Sequence, residues 1–201
     1  MSTLTKVKIC GLSRECDIEY ANRLKPDYIG YVFWQRSRRY VTREQAEALT
    51  RRLDGAITPV GVFVDEEPEL VSRLANDGTI KLIQLHGHEN EEYLRELKSM
   101  TDAPIIKAFK IRGDEDIEKA NTFPSDYILL DNGYGTGQTF DWSFVRGIKR
   151  PFFLAGGVNA DNVRDAIDKL SPYAVDISSG VETDGYKDFD KMLHFINKVR
   201  Y

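Results

Sequence analysis

Eight short runs of apolar, β-rich residues recur along the 201-residue chain: KVKIC, YIGYVF, ITPVGVFV, IKLIQLH, PIIKAF, YILLD, PFFLAGG and AVDISSG. They are apolar on successive positions, as parallel strands covered on both faces should be. Between them lie segments with helical spacing. TREQAEALTRRL opens on Thr42, a good N-cap, and sets Ala46, Leu49 and Leu53 on one face. EEPELVSRLAND, NEEYLRELKSM, DEDIEKANTF, NADNVRDAIDKL and DFDKMLHFINKV behave likewise, with Asn159 at the place of an N-cap after Gly156-Gly157-Val158. The stretch after YILLD is the weakest helix, with only DWSFVRGI to form it.

Eight strands alternating with eight helices, at about 25 residues per unit, predict a closed (β/α)8 TIM barrel. An open doubly wound sheet rarely needs eight regular units. The chain is short for the barrel class and shows no linker or low-complexity stretch, so residues 1–201 are expected to form a single catalytic domain.

Composition narrows the functional classes without choosing among them. With 41% apolar and 30% charged residues, the chain has ordinary soluble globular composition. Its longest apolar runs are too short to span a bilayer, and MSTLTKVK lacks the apolar core of a signal peptide, so the expected location is cytoplasmic. Two cysteines, Cys10 and Cys16, make no disulfide framework and fit a reducing compartment. A net charge of -4 argues against nucleic-acid or anionic-membrane partners. The basic cluster RSRRY, Arg36 to Tyr40, reads as a local feature.

Barrels of this kind carry their active sites at the C-terminal ends of the strands. That rule selects Cys10, the loop with Arg39, Asp65, His86, Lys107 to Phe109, Asp131, Gly156-Gly157, and Asp176 to Gly180. A strand-end thiol such as Cys10 can accept a proton if nearby positive charge stabilises its thiolate. Cys16, inside the first helix, reads as a small buried hydrophobe. Asp131 follows the apolar YILL, where desolvation would favour a protonated carboxyl able to act as a general acid. The glycine turns LAGGVN and ISSGVE close strands seven and eight, where phosphate sites recur in this fold. GYGTG is not a dinucleotide fingerprint. His86 and His88 alone do not complete a three-histidine metal site, because His194 falls in the last helix. A base on one side of the mouth, an acid on the other and a phosphate anchor between describe a sugar-phosphate isomerase.

Seven ordered motifs resemble the phosphoribosylanthranilate isomerase family: KICGL, FWQRSRRY, VGVFV, IQLHG, ILLD…GTGQTFDW, AGGVNADNV and AVDISSGVE. The resemblance implies a cofactor-free Amadori rearrangement in tryptophan biosynthesis, with a phosphorylated small molecule as partner. It implies Asp131 as general acid at the ribose ring oxygen and Cys10 as general base at C2. It matches Arg39 to the anthranilate carboxylate, His86 and Asp176 to the substrate lining, and Gly156, Gly157, Ser179 and Gly180 to the phosphate turns. Relatives often carry proline where this chain has Gln35, which would loosen the arginine loop. Cysteine at the strand-one position counts against the sister family acting on the histidine-pathway analogue, which uses aspartate there. Two other readings stand beside the isomerase: a metal-dependent epimerase built around His86, and a non-catalytic phosphometabolite-binding barrel. Nothing in the helix exteriors selects monomer over homodimer.

Overall fold

The computed structural model describes residues 4–131 and 144–201. Eight parallel strands close in chain order: β1 (Lys6–Cys10), β2 (Tyr28–Val32), β3 (Thr58–Phe63), β4 (Leu82–Leu85), β5 (Ile105–Lys110), β6 (Tyr127–Asp131), β7 (Phe152–Leu154) and β8 (Ala174–Ile177). β8 pairs back to β1, with Val7 beside Val175 and Ile9 beside Ile177. The helices are α1 (Glu15–Leu24), α2 (Arg43–Thr50), α3 (Pro68–Asn76), α4 (Glu91–Met100), α5 (Asp114–Thr122), α6 (Val163–Leu170) and α7 (Phe189–Arg200). After β8 the chain adds a two-stranded antiparallel hairpin, β9 (Glu182–Thr183) and β10 (Tyr186–Lys187).

Local chemistry explains the helix starts. Thr42 and Gln45 form a reciprocal capping box at α2. Asn90 and Asp188 accept from the backbone N–H groups of Tyr93 and Lys191 at the starts of α4 and α7. Pro68 occupies the first turn of α3, where its missing N–H costs nothing.

Two expectations need correction. Among the described residues the connection from β6 to β7 holds a 3-10 turn, Phe144–Gly147, and no eighth α-helix. Gly147 and Pro151 bound that turn on the side of β7. The GYGTG loop and the start of DWSFVRGI lie outside the described residues. Asn159 does not cap α6, which begins at Val163 with Asn162 at the N-cap position. Its side chain instead accepts from the backbone N–H groups of Asp161 and Asn162, closing a turn ahead of the helix.

The strands divide their side chains between two cores. Val7, Ile9, Ile29, Ile83 and Ile105 face the helix layer. Tyr28, Val60, Leu82, Ile106, Leu129, Phe153 and Ala174 fill the barrel interior. On β1 the inward parity therefore belongs to Lys6, Lys8 and Cys10. Lys6 closes the floor, donating to the Tyr173 hydroxyl at 2.9 Å. The mouth lies at the other end.

Candidate active site

At the C-terminal end of the strands a cleft of about 560 Å³ is lined by the nine residues that the resemblance assigned to the site, Cys10, Arg39, His86, Asp131, Gly156, Gly157, Asp176, Ser179 and Gly180, while Asp65 and Lys107 to Phe109, also strand-end candidates, do not line it. Cys10 ends β1 and is 9% exposed. A Cβ on Gly30, its neighbour on β2, would come within 2.7 Å of the Cys10 sulfur, so that glycine makes room for the thiol. Gly11 has a left-handed φ of 84°, and a Cβ there would strike the Arg39 side chain at 2.3 Å. Cys-Gly at the end of β1 therefore does two jobs: it sets the sulfur at the rim and lets Arg39 lie across the strand end.

Beneath Cys10 is a group that the sequence reading passed over. Lys8 is fully buried, and its ammonium donates to Asp176 Oδ2 at 2.9 Å. Burial disfavours its charge, but Asp176 and Cys10 outweigh that and hold Lys8 above the usual lysine range. Burial pushes the Cys10 thiol up, against the pull of Lys8 and Lys187. Burial likewise raises Asp176 despite Lys8. The other oxygen of Asp176, Oδ1, is buried with no hydrogen-bond partner, as is Gln84 Oε1. Both belong to residues of the cleft wall, where a ligand hydroxyl or a water would satisfy them.

Across the mouth, Asp131 ends β6 and its Oδ2 lies 3.3 Å from His86 Nε2. Gln84 Nε2 lies 2.8 Å from His86 Nδ1. With the amide donating to Nδ1, the ring proton sits on Nε2 and is donated to Asp131. His86 thus fixes the orientation of the carboxyl. His88 lies ahead of α4 and is exposed, with Nδ1 3.0 Å from Asp65 Oδ2. Lys107 is tied to Glu89 at 2.8 Å and to the Gly87 carbonyl, fastening the turn that carries His86. Among the described residues no group of three or more His, Cys, Asp or Glu side chains could hold a metal ion.

Between these walls lie the two glycine turns. Gly156 and Gly157 take φ of 69° and 74°, values open to glycine at no steric cost. Asn162 donates to the Gly157 carbonyl at 2.8 Å and accepts from the Asn159 N–H, locking that turn. Ser178 donates to the Cys10 carbonyl at 2.9 Å, joining the second turn to β1.

Glu182 was not anticipated either. Its carboxylate receives Arg39 through Nε at 2.6 Å and Nη2 at 2.9 Å, Arg38 at 2.7 Å and Lys187 at 2.6 Å. The turn around Gln35 is thereby anchored from outside the loop, in addition to its own Ser37-to-Trp34 and Tyr40-to-Ser37 backbone bonds. Burial works against the Glu182 charge, but Arg39 and Lys187 hold its carboxyl below the ordinary range. Glu182→Ala strands a buried Lys187 and frees Arg39, and should cost about 3–5 kcal/mol in urea unfolding. Because the folded value is depressed, this stabilisation is complete above the unfolded carboxyl value and is lost as pH falls through the folded one. Wild type and Glu182→Ala should therefore converge in stability in acid. A difference that stays constant down to pH 3 or so would rule out the charge as its cause.

The closed parallel barrel, with its polar side chains gathered at one cleft in the mouth, defines a protein of the (β/α)8-barrel enzyme class. The profile described as N-(5'phosphoribosyl)anthranilate (PRA) isomerase matches residues 7–198. The N-(5'-phosphoribosyl)anthranilate isomerase of Thermoanaerobacter sp. (strain X514) is 48% identical over 204 residues, covering 98% of each chain. The crystal structure of phosphoribosyl anthranilate isomerase from Thermotoga maritima superposes with a TM-score of 0.87 at 38% identity, covering 98% of each chain. A phosphoribosyl anthranilate isomerase solved in complex with reduced 1-(o-carboxyphenylamino)-1-deoxyribulose 5-phosphate gives 0.84 at 36% identity over 98% of both chains. The chain belongs to the N-(5'-phosphoribosyl)anthranilate isomerase family.

Proposed function

We infer that this chain catalyses the aldose-to-ketose isomerisation of N-(5-phosphoribosyl)anthranilate to 1-(2-carboxyphenylamino)-1-deoxyribulose 5-phosphate, the Amadori step of tryptophan biosynthesis. The observation that carries the reading is the arrangement of one cleft: a thiol on β1 and a carboxyl on β6, with two glycine turns between them in the ring of strands. The reaction runs in a single domain, in the cytoplasm, on the chain's own acid–base groups. No helix among the described residues is long and apolar enough to cross a membrane.

The phosphate is held at the Gly156-Gly157 and Ser179-Gly180 turns, where backbone can approach an anion closely. Arg39 meets the anthranilate carboxylate. Its Nε and Nη2 are engaged by Glu182, so the ligand is met at the Nη1 edge of a guanidinium already oriented. Asp176 Oδ1 accepts a ribose hydroxyl. Asp131 then gives a proton to the ring oxygen as the C1–O bond breaks, and the nitrogen lone pair closes a Schiff base. Cys10, as thiolate, takes the proton from C2 to give an enamine, which tautomerises to the ketone.

Purified protein should abolish the anthranilate fluorescence of the substrate, and should do so equally after chelation treatment. A folded protein that leaves the fluorescence unchanged overturns the reading. Gly11→Ala tests the seating of Arg39. The new methyl would sit on the Arg39 chain and strain a left-handed backbone, so stability falls by more than about 1 kcal/mol. KM should rise about tenfold, the loss of one charged contact, with kcat less affected. Equal loss in kcat and kcat/KM would place Arg39 away from ground-state binding.

A further inference from the structure

We propose that Lys8 is a positioning residue for the thiol chemistry: its ammonium, buried on the same inward face of β1 as Cys10 and paired with Asp176, supplies the positive charge on which the thiolate depends. The proposal deepens the reading above and rests on Cys10 being the base.

The placement is forced by parity. Val7 and Ile9 of β1 face the helix layer, so Lys8 and Cys10 point inward one above the other. A lysine with no exposed surface inside a barrel must keep its charge paired or lose it. Lys8 is paired with Asp176 Oδ2 at 2.9 Å and is the inward neighbour of Cys10 along β1. A purely structural ion pair joining β1 to β8 would not need to lie at the cleft that Cys10 and Asp176 line together.

The charged groups facing the sulfur come from four elements: Lys8 on β1, Asp176 on β8, Lys187 on β10 and Arg39 on the loop after β2. Lys187 is spent on Glu182 and the Ser178 carbonyl, and Arg39 on Glu182. Of the three cations, Lys8 is the one that shares the inward face of β1 with the thiol. It is also the largest influence opposing the burial that disfavours a thiolate. Asp176 competes for the same ammonium and disfavours the thiolate itself. The two partners thus predict shifts of opposite sign: losing Lys8 should raise the thiol's titration midpoint, and neutralising Asp176 should lower it.

The test titrates Cys10 directly, in a Cys16→Ser background that leaves it the sole thiol. Thiolate ultraviolet absorbance is followed against pH, with Cys16→Ser/Cys10→Ala subtracted as blank, beside the kcat/KM profile. Lys8→Met should move the thiol midpoint up by about one pH unit or more, and the acid limb of kcat/KM by the same amount. Lys8→Arg, which keeps the charge, should restore part of that shift. Asp176→Asn should move the thiol midpoint down. A midpoint unmoved by Lys8→Met, or unmoved or raised by Asp176→Asn, overturns the proposal. Where Lys8→Met fails to fold, Lys8→Gln carries the same prediction for the thiol midpoint and decides in its place. A thiol midpoint that rises in Lys8→Met while the acid limb stays fixed shows that Cys10 is not the base. That result removes the catalytic reading of Cys10 and the dependence proposed here, and it is distinguishable from a failure of charge coupling.

Discussion

Cys10→Ala should fold as wild type does and lose about 10²–10⁴-fold in kcat, the usual contribution of a positioned general base. The sulfur is small and nearly buried, so its removal leaves a modest cavity and no broken backbone bond. Substrate binding rests mainly on other groups: the glycine turns, Arg39 and Asp176. KM should therefore change by no more than a few-fold, which marks an interaction realised in the transition state. Cys10→Ser, which keeps the shape but offers no anion in the accessible range, should resemble alanine. The acid limb of kcat/KM is the companion signature. Since burial holds the Cys10 thiol above its ordinary value, the residual activity of Asp131→Asn, with no acid titrating against it, should still be rising at alkaline pH where a free thiol would be half ionised. In Cys10→Ala that limb should vanish. A folded Cys10→Ala protein within tenfold of wild-type kcat would remove Cys10 from the mechanism.

Much of this molecule is written in its apolar runs, and what escaped the reading escaped for definite reasons. All eight strands were legible because each is buried on both faces and bounded by turn residues. The nine cleft residues were legible because a barrel collects its chemistry at the strand ends. Lys8 was hidden by the same rule, because it sits in mid-strand, two residues short of the end of β1. In a barrel the outer face belongs to the helices, so the alternation sends Lys6 and Lys8 inside. Period-two parity on β1 was the signal that could have found it. Glu182 and Lys187 carried no comparable signal. Glu182 meets Arg39, and Lys187 meets Glu182, through a hairpin packed past β8, and contacts between residues 39 and 182 are not encoded in local pattern. Asn159 looked like a cap because it has the right chemistry three residues too early. The competing asparagine, Asn162, won because it also bonds Gly157.

Asp131→Asn should lower kcat by about 10²–10⁴-fold by a different route. Asparagine matches the carboxyl in shape, and its amide oxygen can still accept from His86 Nε2, so the cleft should keep its geometry. What it lacks is a transferable proton, and ring opening then has to proceed without a general acid. The pH profile separates this loss from that of Cys10. Asp131 must hold its proton to act, so wild-type activity falls as pH rises through the point at which that proton is lost. Asp131→Asn should abolish the basic limb and keep the acid limb, the mirror of Cys10→Ala. Because the two groups act on successive steps, ring opening and C2 deprotonation, the double variant should fall short of the product of the two single losses. A reaction intermediate offers a sharper discriminator. A substrate already opened to the Schiff base needs no acid at the ring oxygen, so Asp131→Asn should turn it over near the wild-type rate while Cys10→Ala does not. Equal impairment of both variants on the opened substrate would mean that the carboxyl serves the deprotonation as well, and the division of labour across the mouth would have to be redrawn.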